Sequence, residues 1–136
     1  MGLQKLYNRY NEDIEFMVVY IKEAHAQDEW WLGETKLMRL GFELGGALAS
    51  TELFAPTTDE ERLKHATKCK NRILGDLPTY VDGIDNAVND AYAALPTRIY
   101  LIAKDGTVAW DSGLGPFGFI PDDLETAIKQ YLSENM

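Results

Sequence analysis

The segment Leu95–Trp110, LPTRIYLIAKDGTVAW, constrains the fold more than any other stretch of the chain. Two runs rich in Ile, Val and aromatic residues flank Asp105-Gly106. Asp-Gly between such runs is a strong hairpin signal, because tight hairpin turns need residues that tolerate positive φ. The pattern predicts strand, two-residue turn, strand, over TRIYLIA and TVAWDS. Pro96 precedes the first strand, where its missing N–H removes no ladder bond. It reads either as a cis proline, which is normally a deliberate feature, or as an ordinary trans proline at a strand start.

Upstream of the hairpin, helical and strand patterns alternate. Leu3, Leu6, Tyr7 and Tyr10 recur at helical spacing and predict a short helix that Asn11–Asp13 break. IEFMVVYI, residues 14–21, is a Val- and Ile-rich run of the kind found in strands buried on both faces. Residues 31–57 carry scattered glycines and read as an insertion with one helical turn. Thr58 opens a helix through a capping box: its hydroxyl can accept from the Glu61 amide while Glu61 reaches back. Leu63, Ala66, Cys69 and Ile73 would form its buried stripe, and Gly75 would end it. LPTYVD, residues 77–82, reads as a short strand. Asp85 can cap a helix over NAVNDAYAA with Val88, Ala91 and Tyr92 facing inward. Pro121–Glu134 forms the last helix, with Leu124, Ile128 and Leu132 on one face. Strands alternating with helices, closed by a hairpin and a helix, predict a single α/β domain whose βαβ sheet carries an antiparallel edge.

The charge balance narrows the partners. The chain has 136 residues with a formal charge of −9, from 13 basic and 22 acidic side chains. Phosphate recognition needs a basic face, so no nucleic acid is expected, and an anionic membrane would repel the chain. The longest apolar run is too short to span a bilayer, and the N-terminus shows no signal-peptide pattern. With one cysteine no internal disulfide can form, and a cytoplasmic location is expected.

Few side chains carry candidate chemistry. Glu23 and His25 follow the C-terminal end of the first strand, where α/β sheets place ligands. A histidine there suits proton transfer near neutral pH, and the bland alternative is a solvated loop pair. Cys69 lies on the apolar stripe of its helix and reads as a small buried hydrophobe. Its alternative is a resolving thiol, or less directly a peroxidase nucleophile, either of which needs exposure and a lowered pKa. His65 falls on the polar face and reads as solvated. Two separated histidines and one cysteine have no metal-ligand spacing, so neither a metal nor another bound cofactor is expected. The glycines at 113, 115 and 118 lack the Lys-Ser/Thr of a phosphate loop.

Four segments in order resemble the iodothyronine deiodinase family of the thioredoxin-like superfamily. They are YIKEAHAQDEW at 20–30, VDGIDNAVNDAY at 81–92, RIYLI at 98–102 and GLGPFGF at 113–119. The family carries similar Tyr-Ile-Glu-Glu-Ala-His, Met-Asp-Asn…Ala-Tyr, Arg-Leu-Tyr and Gly-x-Gly-Pro-x-Gly segments. The resemblance covers most of the chain outside about 31–57. It departs at LPT, 95–97, which is closer to ordinary thioredoxin-like reductases. It departs also near Leu77, where animal members carry a cysteine.

The resemblance implies a thioredoxin-like fold and reductive dehalogenation or related thiol/selenol redox chemistry. Glu23 and His25 would manage the proton. Arg98 would hold a substrate carboxylate as a bidentate pair, or else form only a sheet-edge ion pair. Pro96 and Thr97 would line the substrate side, and an external thiol would serve as reductant. In the family the nucleophile, a selenocysteine or cysteine, ends a strand that precedes two prolines and a helix. Met1 falls inside the counterpart of that helix, so the domain is expected to be N-terminally truncated, without its nucleophile and inactive as given. A selenocysteine codon misread as a stop would produce this start. The missing strand is the central one, so the expected outcomes are direct pairing of its neighbours or a homodimer across an open edge. A non-catalytic partner-binding module is the alternative from another functional class.

Overall fold

A computed structural model of the chain describes residues 2–23, 55–115 and 117–135. It is an α/β structure of four helices and four short strands among the described residues. The elements are α1 (Leu3–Tyr10), β1 (Val18–Tyr20), α2 (Asp59–Cys69), β2 (Thr79–Val81), α3 (Ala87–Tyr92), β3 (Tyr100–Ile102), β4 (Val108–Asp111) and α4 (Pro121–Asn135). The expected insertion lies outside the described residues except for its last three positions, and His25 lies outside them altogether.

The strands form two separate two-stranded sheets, where the sequence predicted one. β1 pairs in parallel with β2, in the register Val18↔Thr79, Val19↔Tyr80 and Tyr20↔Val81. β3 pairs antiparallel with β4, Tyr100 opposite Asp111 and Leu101 opposite Trp110. Among the described residues no ladder joins β1 to β3, so the expected direct pairing of these strands is not made. With one ladder partner, β1 is half-buried rather than covered on both faces.

The hairpin forms where Asp105-Gly106 predicts it, with one residue more in its loop. Ala103 N–H donates to Thr107 O at 2.8 Å and Gly106 N–H to Ala103 O at 2.9 Å, enclosing Lys104, Asp105 and Gly106. Gly106 takes φ of 86°, the left-handed position of a three-residue loop. The Asp105 carboxylate accepts from the Thr107 amide and hydroxyl, and these donors hold its pKa below the ordinary value.

The main core joins the chain's two ends to the hairpin. Leu6 and Tyr10 of α1 meet Leu101 of β3 and Leu124 and Ile128 of α4. A polar clamp reinforces the contact. Arg9 pairs with Glu125, Tyr10 Oη donates to the same carboxylate at 3.1 Å, and Lys129 Nζ lies 3.3 Å from it. Trp110 packs against this core, as expected of a structural tryptophan.

α2 begins as its capping box predicts, with Glu61 N–H donating to Thr58 Oγ1 at 3.2 Å. The Glu61 carboxylate reaches back one residue further than expected, to the Thr57 amide and hydroxyl, which lower its pKa. The buried face differs from the predicted stripe. Leu63 and Ile73 are exposed, while Arg62, Ala66 and Leu74 are buried. A π-helical turn over Lys70–Leu74 follows α2 before Gly75 ends the helix. The wide turn admits one extra residue and moves the inward position from Ile73 to Leu74. Arg62 is tolerated inside because distant acceptors satisfy it. Its Nη1 donates to Gly83 O and its Nη2 to Asn86 Oδ1 at 2.9 Å.

α3 is capped by Asp82 and only marginally by Asp85. The two Asp82 oxygens accept from Val88 N–H at 3.0 Å and Asn89 N–H at 2.9 Å, whereas Asp85 reaches only Ala87 N–H, at 3.3 Å. Asn86 sits in the left-handed region at φ 60°, which turns the chain so that Asp82 stands over the helix end. Asn89 is the buried residue of α3; Ala91 and Tyr92 are exposed and Val88 is half-buried.

Candidate functional site

Glu23 is buried three residues beyond the end of β1, and its side chain is only 4% exposed. A carboxylate in such a place needs donors. Tyr20 Oη donates to Glu23 Oε1 at 3.0 Å, and His65 Nδ1 lies 3.2 Å from the same oxygen. Glu23 Oε2 is buried with no hydrogen-bond partner. Burial first, then the charge and hydrogen bond of Glu23, push the Tyr20 phenol far above its ordinary range, so it remains a protonated donor.

His65 is therefore not the solvated side chain that the polar face of α2 suggested. Residues 62, 65, 66 and 69 follow i, i+3, i+4, i+7 spacing, and this is the face α2 turns inward. Two of the four are ionisable, so a search for apolar periodicity passes over them. Cys69 lies on this face, half-buried, and burial raises its thiol pKa. A thiol held protonated is a weak nucleophile.

A second group of predicted residues gathers at the start of β3. The Leu95–Pro96 peptide is cis. Thr97 O accepts from Gly115 N–H at 2.8 Å, which ties the GLGPFGF loop to the strand entry. A Cβ on Gly115 would lie 2.2 Å from Thr97 Cγ2, so only glycine fits this approach. Arg98 lines an open cleft with Asn89, Asp90, Leu95 and Leu114. Its Nη1 donates to Tyr100 Oη at 3.2 Å, its guanidinium stands 5.8 Å from that ring centre, and its Nε is buried without a partner. Among the described residues Arg98 forms no ion pair, so its charge faces the cleft rather than a sheet-edge carboxylate.

The predicted residues thus occupy two clusters, Glu23 in one and Pro96, Thr97 and Arg98 in the other. Among the described residues no hydrogen bond joins the two clusters. No three His, Cys, Asp or Glu side chains among the described residues gather closely enough to hold a metal ion. No described helix is long and apolar enough to cross a membrane.

Comparison with known proteins bears on what these clusters serve. A sequence profile of the iodothyronine deiodinase family matches residues 1–132. A type I iodothyronine deiodinase of Xenopus laevis is 27% identical over 126 residues, covering 93% of this chain and 43% of the relative. A thyroxine 5-deiodinase of Sparus aurata is 29% identical over 133 residues, and that of Homo sapiens 26% over 130, each covering 96% of this chain. The chain spans less than half the length of these relatives, 43% and 38% for the last two. A profile match over almost the whole sequence identifies the chain as a member of the iodothyronine deiodinase family.

Proposed function

We propose that this chain forms the proton-handling and substrate-binding part of a thioredoxin-like, deiodinase-like thiol or selenol oxidoreductase. The observation that carries this reading is Glu23, a buried carboxyl with one unpartnered oxygen at the C-terminal end of a parallel strand pair. Reductive dehalogenation needs a nucleophile, a proton donor and a reductant. The nucleophile is a selenolate or thiolate supplied by sequence preceding residue 1. It takes the halogen as the carbon–halogen bond breaks, and the ring carbon takes a proton. Glu23, with His25, delivers that proton. An external dithiol then reduces the selenium– or sulfur–halogen bond, releasing halide and leaving a disulfide. Arg98, with its unpartnered Nε and spare donors, orients an anionic group of the substrate beside Pro96 and Thr97. Cys69 serves as a resolving thiol rather than as the attacking one, because burial disfavours its thiolate.

Iodide release from an iodinated phenol with a dithiol reductant tests this reading. In the form of the protein extended upstream, Glu23→Gln lowers kcat about 10²-fold or more, the scale of general acid catalysis. Unchanged turnover in Glu23→Gln would remove Glu23 from the chemistry. Upstream nucleotides that encode no in-frame strand with a cysteine or selenocysteine would remove the nucleophile. A Cys69-dependent peroxidase predicts that Cys69→Ser abolishes peroxide consumption; the raised thiol pKa predicts no change.

A further inference from the structure

Glu23 presents a problem that its own burial creates. An acid that gives up a proton each turnover must be reloaded, and a carboxyl 4% exposed is cut off from water. Tyr20, its first donor, cannot reload it, because burial and the neighbouring carboxylate hold the phenolic proton fast. His65 is the remaining partner. Its side chain is 16% exposed, it lies 3.2 Å from Glu23 Oε1, and imidazole is the side chain suited to exchange protons at neutral pH.

We propose that His65 is the group through which Glu23 is reprotonated from solvent. Nδ1–H donates to Glu23 Oε1, and Nε2 is the unprotonated nitrogen that receives a proton from water. One proton enters at Nε2 as one leaves Nδ1 for the carboxylate, so neither charge nor protons are left unbalanced. The surrounding groups fit this assignment. From β1, Tyr20 stabilises the same carboxylate oxygen. From α2, Arg62 is occupied by the acceptors of residues 82–86, and Cys69 is held as a neutral thiol. Neither competes for the proton. His65 is a positioning residue that acts through Glu23, and the proposal rests on the reading of Glu23 as the acid of the site.

Two measurements test it. The first needs no turnover. In the 15N spectrum of histidine-labelled protein at neutral pH, His65, assigned by its loss in His65→Asn, should show a protonated Nδ1 and a bare Nε2, the minor tautomer of free histidine. A protonated Nε2 with a bare Nδ1 would overturn the proposal. The second compares pH–rate profiles in the form of the protein that turns over. His65→Asn keeps an N–H donor near Glu23 but cannot carry a proton. It should lose at least about tenfold in kcat at pH 7, within the range of proton-transfer effects, and added imidazole should restore part of the loss. A purely structural role would leave His65→Asn at wild-type rate, or leave its loss untouched by imidazole, and either result would overturn the proposal. Wild-type rate in His65→Asn beside an inactive Glu23→Gln removes His65 alone. Activity in Glu23→Gln instead removes the underlying reading.

Discussion

Gly115 shows how closely the two loops of the Arg98 cluster are fitted. The Cβ of an alanine there would stand 2.2 Å from Thr97 Cγ2 and 3.0 Å from Thr97 O. Gly115→Ala should therefore destabilise the fold by about 1–3 kcal/mol, the usual scale of overpacking. Thr97→Ser removes the nearer obstacle, so the double variant should recover part of that loss in a urea-melt cycle. Additive losses would show that Thr97 is not what the new methyl group meets. At this scale the sequence was partly legible. The Gly-x-Gly loop and LPT stood out as motifs, but nothing in one motif names the other as its neighbour. His65 was harder to find, because its partner is 42 residues away and enters from a strand end.

Among the elements, α2 and α3 separate what local pattern can reveal from what it cannot. The Thr58 cap and the Gly75 stop are local interactions, and both were readable. The buried face of α2 was not, because its π-turn and the internal Arg62 depend on tertiary partners. Leu74→Ala should cost about 2–5 kcal/mol, as truncations in a core do, while Ile73→Ala should remain within about 0.5 kcal/mol of wild type. Equal losses would place Ile73 inside and restore the regular stripe. The cap of α3 gives a parallel contrast. Asp82→Ala should cost about 1–2 kcal/mol, as loss of a helix cap does. Asp85→Ala, whose single bond is 3.3 Å long, should cost less than half of that in the same melts. The opposite ranking would return the cap to the position that sequence spacing favours.

Across the whole molecule, α1 and α4 are held to the hairpin by apolar contacts and by the Glu125 clamp. Burial raises the Glu125 pKa, but the Tyr10, Lys129 and Arg9 donors outweigh it, and the folded value lies below the ordinary 4.5. The clamp therefore stabilises the fold above that ordinary value, and its contribution is lost as pH falls through the lower folded value. Glu125→Gln should remove this part of the acid sensitivity: the gap between wild-type and variant stability should be present at pH 7 and close by about pH 3. A gap that persists undiminished at pH 3 would mean the clamp does not act through charge.

The two sheets pose the larger question, because β1 and β3 each have a single ladder partner among the described residues. In the proposed architecture a nucleophile-bearing strand fills the space between them. That arrangement accounts for a sequence whose βαβ order predicts one sheet and whose structure shows two. It also predicts that the 136-residue chain alone self-associates or melts without cooperativity, while a chain extended upstream is monomeric with a sharp melt. The most direct measurement is iodide release from an iodinated phenol, with excess dithiol, by these two chains side by side. The account predicts turnover by the extended chain, abolished when its upstream selenocysteine or cysteine is replaced by serine, and none by the 136 residues alone. Turnover by the 136-residue chain, or by the serine variant, would contradict it.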